Sequence, residues 1–264
     1  MKDKIKKIIH QLILPRGKQF IEDRELTIGW EKKIIGYGNK QICVIHQSPA
    51  IAHSLMILAH PYLSEARQFY LRRGHAAMYL NLGFHVVIFD FNGFGESPFE
   101  DFNYDEDVSI VTEHFHTMYP EKKIIGHGIS FGASHILSYA TKMNHHFGKI
   151  IIENCLDSNL SYYKKRNIKL FYVIKSLMAF FPGANKNHDY VKSAGNILKV
   201  ENMLLIYNEE DDLTTIEMGQ KILAKCNVPA QIEIFKGKHL EAYQKDTLKY
   251  VSVISKFLII STKL

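Results

Sequence analysis

The stretch Ile124–Ala133, Ile-Ile-Gly-His-Gly-Ile-Ser-Phe-Gly-Ala, constrains this chain more than any other. A short apolar run leads into Gly-x-Ser-x-Gly and then into a helix-forming segment, Ala133 to Met143. That order implies a buried strand turning sharply into a helix, with Ser130 at the corner. Gly128 and Gly132 lack a Cβ, so the two backbones can cross closely there. A serine held on such a turn presents its Oγ as a nucleophile. The N–H of Phe131, at the start of the helix, faces any anion that forms beside it. A bare Gly-x-Ser-x-Gly also arises by chance in glycine-rich turns, so the chain must supply a base, an acid and a second N–H donor elsewhere.

The elements around this stretch give it a frame. Strands are expected at Glu25–Ile35, Gln41–His46 and Ser54–Leu58, separated by the turn signals Gly36-Tyr37-Gly38-Asn39 and Ser48-Pro49. A helix follows over 64–82, stopped by Gly83, then a strand at Phe84–Asp90 and a helix at Asp105–Tyr119 stopped by Pro120. After the Ser130 turn come strands at Lys149–Glu153, Met203–Tyr207 and Gln231–Phe235, with helices at Thr215–Cys226 and Leu240–Ile259. Strands first, then alternation, describes an α/β fold: a mostly parallel central sheet with an antiparallel edge and helices on both faces. At 264 residues with 46% apolar content, the chain suits one domain over 1–264 with a deep core. Residues 157–196 carry no strand signal and interrupt that domain as an insertion. A basic amphipathic helix is expected at about 1–14.

Charge narrows the partners. The formal net charge is +6, but Lys and Arg are scattered, with short clusters only at 2–7 and 164–166. A nucleic-acid partner is therefore not expected. Cys43, Cys155 and Cys226 have no metal-ligand spacing and leave one unpaired, which suits reduced thiols in a cytoplasmic protein. No stretch approaches the ~18 uninterrupted apolar residues of a membrane span. The N-terminal basic helix is expected to pack on the domain, with peripheral membrane contact the lesser expectation.

Asp211 follows the strand ending at Tyr207, and His239 follows the strand ending at Phe235. With Ser130 they lie just beyond the C-terminal ends of expected parallel strands, where open α/β sheets place their chemistry. Ser130 is too weak an acid to attack unaided and needs an imidazole to take its proton. The imidazole needs a carboxylate to fix its tautomer. Asp211 is the first choice for that acid, with Asp212, Glu210 and Asp157 as rivals.

Five segments in order resemble the α/β-hydrolase family: Gly128–Gly132 as its nucleophile turn, Asp90–Ser97 for its Asp-x-Arg-Gly-x-Gly-x-Ser loop, His60-Pro61-Tyr62 for its His-Gly-x loop, Asn208–Asp211 for its Gly-x-x-Asp, and Gly237–His239 for its histidine segment. The resemblance runs from about Glu25 to the C-terminus. It implies an α/β-hydrolase fold with a small helical cap and a catalytic Ser130, Asp211 and His239. Phe131 and, because Pro61 has no N–H, Tyr62 would be the oxyanion donors. Asn92 stands where the family usually has Arg, which removes a structural charge from that loop. The implied activity is hydrolysis of a carboxylic ester or thioester through an acyl-enzyme, without metal or cofactor. The same acyl-enzyme could serve an acyltransferase, and a non-catalytic binding or scaffold protein is the alternative from another class.

Within the insertion, Leu170, Phe171, Ile174, Leu177, Met178 and Phe181 recur at helical spacing. By the resemblance this is a lid, and Phe171, Ile174, Leu177, Met178 and Phe181 are candidates to wall an acyl-chain site. Equally, the stripe could simply pack against neighbouring helices. The basic residues nearby could receive an acyl carrier or coenzyme A, with a solvated helix face the first expectation.

Overall fold

A computed structural model describes residues 22–180 and 189–259. The expected N-terminal helix at about 1–14 lies outside the described residues. Eight strands form one sheet in the order β1-β2-β4-β3-β5-β6-β7-β8. The chain's contacts divide into two compact units at Ile124/Ile125, within what the sequence suggests as one domain.

In the first unit, β1 (Glu31–Tyr37) and β2 (Lys40–Gln47) form an antiparallel hairpin with Tyr37 opposite Lys40. Its tight turn uses Gly38 at φ 58°, a conformation that costs glycine nothing. β2 also runs antiparallel to β4 (His85–Phe89), and β4 runs parallel to β3 (Ser54–Ala59) with Leu55 opposite His85. Leu55 to Ala59 and His85 to Phe89 are buried throughout, as near-continuous apolar runs should be in a sheet covered on both faces. α1 (Gln68–Arg72), α2 (His75–Asn81) and α3 (Tyr104–Met118) are the helices among the described residues of this unit.

Two expectations shift here. The strand expected from Glu25 begins only at Glu31, because residues 24–29 form turns and Gly29 has φ 81°. The single helix expected over 64–82 is two, broken where Gly74 adopts a left-handed φ of 83°.

The second unit follows strand–helix alternation. β5 (Lys123–Ile129) leads into α4 (Phe131–Tyr139), and then come β6 (Phe147–Glu153), β7 (Asn202–Asn208) and β8 (Ala230–Phe235). β6, β7 and β8 are parallel, with Ile150 opposite Met203 and Tyr207 opposite Ile234. Between β6 and β7 the insertion contains α5 (Asn159–Arg166), α6 (Ile168–Phe180) and α7 (Tyr190–Ala194), and an isolated bridge joins Ser158 to Asp189. α8 (Ile216–Lys225) precedes β8, and α9 (Ala242–Lys245) and α10 (Thr247–Ile259) follow it. The helix expected over 240–259 is thus divided at Asp246. The Asp246 carboxylate accepts the Lys249 N–H at 2.9 Å, so it starts a new helix.

Candidate active site

Ser130 is the residue between β5 and α4, and its backbone shows the turn the sequence requires: φ 54°, ψ −111°. A non-glycine residue held there is strained, and the surroundings hold it in place. Its N–H donates to the Glu153 carbonyl at 2.8 Å, and its own carbonyl accepts from Ser134 N–H at 3.2 Å. Glu153 is itself fixed: its buried carboxylate accepts from the Tyr250 hydroxyl at 2.5 Å and lies 3.4 Å from His127 Nε2. A Cβ on Gly128 would overlap the Gly132 carbonyl and the Ala133 nitrogen, so only glycine permits this crossing of strand and helix.

His239 and Asp211 converge on this serine. His239 Nε2 is 3.1 Å from Ser130 Oγ, and His239 Nδ1 is 2.6 Å from Asp211 Oδ2. Asp211 is fully buried at its side chain and sits on a turn closed by its own N–H onto the Asn208 carbonyl. Its Oδ1 accepts the N–H groups of Leu213 and Thr214 at 2.8 and 2.9 Å. Its Oδ2 also accepts from Asn154 Nδ2 at 3.0 Å and from the Thr214 hydroxyl. Burial by itself would raise the Asp211 carboxyl. The His239 hydrogen bond and charge and the Thr214 hydrogen bonds outweigh it and hold the carboxyl below the ordinary aspartate range. An ionised Asp211 requires the proton on His239 Nδ1, which leaves Nε2 with a lone pair toward Ser130.

The rival acids are elsewhere. Asp157 pairs with Lys221 at 2.8 Å, and its carbonyl accepts the Tyr190 N–H. Asp212 is exposed, and its carbonyl accepts from Lys165 Nζ. Asn154 and Thr214, which complete the Asp211 environment, are not evident from sequence. Each is an ordinary polar loop residue until β6 and β7 are paired and Asn154 N–H joins the Ile206 carbonyl at 2.8 Å.

No known family model matches this sequence, and no curated protein is similar to it. Solved structures are. Over 93% of this chain and 95% of the other, it superposes on an esterase of Pyrococcus furiosus, Pf2001, with a TM-score of 0.72 at 18% identity. A proline iminopeptidase of Mycobacterium smegmatis gives a TM-score of 0.63 at 15% identity, over 86% of this chain and 97% of that one. An alpha-beta serine hydrolase homologue of Coxiella burnetii gives 0.62 at 16% identity, again over 86% and 97%. The chain has the α/β-hydrolase fold.

Within that fold the remaining candidates fall as follows. Phe131 opens α4, where the first N–H groups of a helix point outward from it. Its ring meets His135 edge-on at 4.4 Å. Tyr62 lies in the first unit, three residues past β3, its ring edge-on to Phe94 at 5.3 Å. The loop carrying it is anchored by His60, whose Nδ1 donates to the Pro61 carbonyl at 2.8 Å while Nε2 accepts the Phe91 N–H at 3.2 Å. Complete burial lowers the His60 imidazole to about 4, so it is neutral and locked in that tautomer. Phe171 is half-buried on α6, with Lys175 Nζ 5.8 Å from its ring centre. Ile174, Leu177 and Met178 lie on α6, and Phe181 lies outside the described residues. Leu170 of the expected apolar stripe is 39% exposed. Among the described residues no group of three or more His, Cys, Asp or Glu side chains is placed to hold a metal ion. None of the helices among them is long and apolar enough to cross a membrane.

Proposed function

We propose that this protein is a serine hydrolase that cleaves a carboxylic ester or thioester through an acyl-enzyme. One observation carries the reading: the hydrogen-bonded chain Ser130 Oγ, His239, Asp211, in which a neutral imidazole protonated on Nδ1 turns the lone pair of Nε2 toward the serine. The esterase and hydrolase names among the structures of this fold are consistent with it. Ser130 attacks the acyl carbon as its proton passes to Nε2, and the imidazolium is stabilised by Asp211. The Phe131 N–H, at the positive end of α4, stabilises the oxyanion. For a second donor, the family resemblance alone supports the Tyr62 N–H. His239 then protonates the leaving group, and water repeats the sequence in reverse to release the acid.

The test is labelling with a fluorophosphonate and turnover of p-nitrophenyl esters and acyl-coenzyme A thioesters of graded length. Ser130→Ala removes only Oγ, so it should fold, lose labelling and lose on the order of 10³-fold or more in turnover. Unchanged turnover in the folded variant would overturn the proposal.

A further inference from the structure

Within the insertion, the segment 158–188 carries a net charge equal to that of the whole chain. From Ser158 to His188 there is no Asp or Glu, but there are Lys164, Lys165, Arg166, Lys169, Lys175 and Lys186. With these six set aside, the 33 Lys and Arg fall to 27, the number of Asp and Glu, and no net charge remains. A run of six cations without an acid gives this segment a positive field that anions prefer.

The structure adds an independent feature at the same place. On α6, Ile168 is 49% exposed, Leu170 39%, Tyr172 61% and Val173 55%. At 3.6 residues per turn, the order of the exposed residues around the helix is Lys175, Ile168, Tyr172, Ser176, Lys169, Val173, Leu170. The solvent side of this helix therefore carries two apolar pairs, Ile168 with Tyr172 and Val173 with Leu170, each flanked by an exposed lysine. A helix meant only for water carries polar residues on that side. Lysine stems can lie along apolar surface while their ammonium groups reach outward, so the two kinds of residue work together at a boundary between water and oil.

We propose that α5 and α6 dock this protein onto an anionic lipid surface. Lys164, Arg166, Lys169 and Lys175 meet the lipid phosphates, and Ile168, Tyr172 and Val173 enter the headgroup layer. The cations alone would equally suit an acidic protein. The exposed Ile168 and Val173 favour lipid, because they gain by leaving water for the acyl boundary. Lys165 is not counted among the docking cations: it donates to the Asp212 carbonyl, tying α5 to the loop that holds Asp211. The docking claim does not depend on Ser130 being a nucleophile.

Sedimentation of the full-length protein with vesicles tests it. Vesicles of phosphatidylcholine mixed with phosphatidylglycerol should bind the protein, pure phosphatidylcholine should bind it far less, and added salt should weaken the first. The triple variant Lys164→Gln, Arg166→Gln, Lys169→Gln should bind anionic vesicles about 100-fold more weakly, at roughly fivefold per cation. The double variant Ile168→Ser, Val173→Ser keeps every charge and should still lose several-fold. All five side chains are exposed, so melting temperatures should stay close to wild type. Absence of binding to the anionic vesicles, or binding indifferent to the triple variant, would overturn the proposal. Loss in the triple variant with none in the double would also overturn it, since nothing then enters the lipid and an acidic protein becomes the fitting partner.

Discussion

Replacing Asp211 with Asn separates the proposed acid from its rivals, and the structure dictates how the new amide must sit. The N–H groups of Leu213 and Thr214 both aim at Oδ1, at 2.8 and 2.9 Å, so the amide oxygen must take that place. Its NH₂ then falls at Oδ2, facing the Asn154 amide at 3.0 Å and His239 Nδ1 at 2.6 Å. A donor at that point turns Nδ1 into an acceptor and moves the imidazole proton to Nε2, toward Ser130. His239 can no longer receive the serine proton. The loss should be on the order of 10⁴-fold in kcat, about 5.5 kcal/mol of transition-state stabilisation. Asp157→Asn disturbs a pair with Lys221, whose side chain is 60% exposed, and hydrogen bonds from Ser158 and Ser161, and should change kcat less than about threefold. Initial rates on a p-nitrophenyl ester, normalised to folded protein, measure both. The pH dependence of stability gives a second readout. Because the folded Asp211 carboxyl lies below its ordinary value, its contribution is present above the unfolded pKa of about 4 and is lost as pH falls through the folded one. Acidification through that range should therefore lower the wild-type melting temperature more than that of Asp211→Asn. If Asp211→Asn keeps activity within tenfold, or Asp157→Asn is the crippling change, the reasoning from donor geometry fails.

Two further outcomes follow from residues outside that hydrogen-bonded chain. Arg67→Met should cost about 3 to 5 kcal/mol, because it leaves the buried Asp90 carboxylate without its cation, and should lower the melting temperature by roughly 6 to 20 °C in a thermal scan. Phe171→Ala should shift the preferred acyl length if α6 walls the substrate, since each added CH₂ in contact gains about 0.8 kcal/mol, or three- to four-fold in kcat/KM. A lower melting point with an unmoved chain-length profile would show that Phe171 serves packing alone.

What the sequence reveals of this site, and what it hides, divides along physical lines. Ser130, Asp211 and His239 are legible because each follows an apolar run that ends in a turn, and their chemistry demands all three types in one place. Gly128 is legible because only the absent Cβ allows the crossing. Asn154 is hidden, although its φ of 50° is one that Asn tolerates better than most residues. Its role exists only because β6 and β7 run parallel in a register that carries it to Asp211, and one strand's sequence does not contain the register of its neighbour. Helix breaks divide similarly. Gly83 reads as a stop because it ends an apolar periodicity, whereas Gly74 sits inside one, and its left-handed φ of 83° is a property of the packed turn. Asp246 is a residue type that favours helix starts, but the Lys249 N–H that it accepts is visible only in the folded chain.

The Asp90–Ser97 loop shows how buried carboxylates obtain their cations from outside the loop. With Asn at position 92, the sequence suggests a loop deprived of its guanidinium. The structure supplies one from Arg67, immediately before α1. The fully buried Arg67 side chain pairs with Asp90 and lies 2.5 Å from Glu96 and 2.8 Å from Glu22. Asp90 in turn accepts the N–H groups of Arg67 and Glu96, both at 3.0 Å, so the cation and the loop backbone fix the same carboxylate. Gly95 must remain glycine, since a Cβ there would overlap Asp90 itself. Asn92 ties the far side of the loop: its Nδ2 donates to Asp107 at 2.7 Å, and its Oδ1 accepts the N–H groups of Glu100 and Asp101 at 3.1 Å. Asp107 is then neutralised by the buried Lys40 at 2.9 Å. Two buried acids, Asp90 and Asp107, thus each receive one cation from a separate element of the first unit, Arg67 before α1 and Lys40 from β2. The requirement that survives substitution is charge compensation of the buried carboxylates. A motif records only one of the positions from which that charge can come.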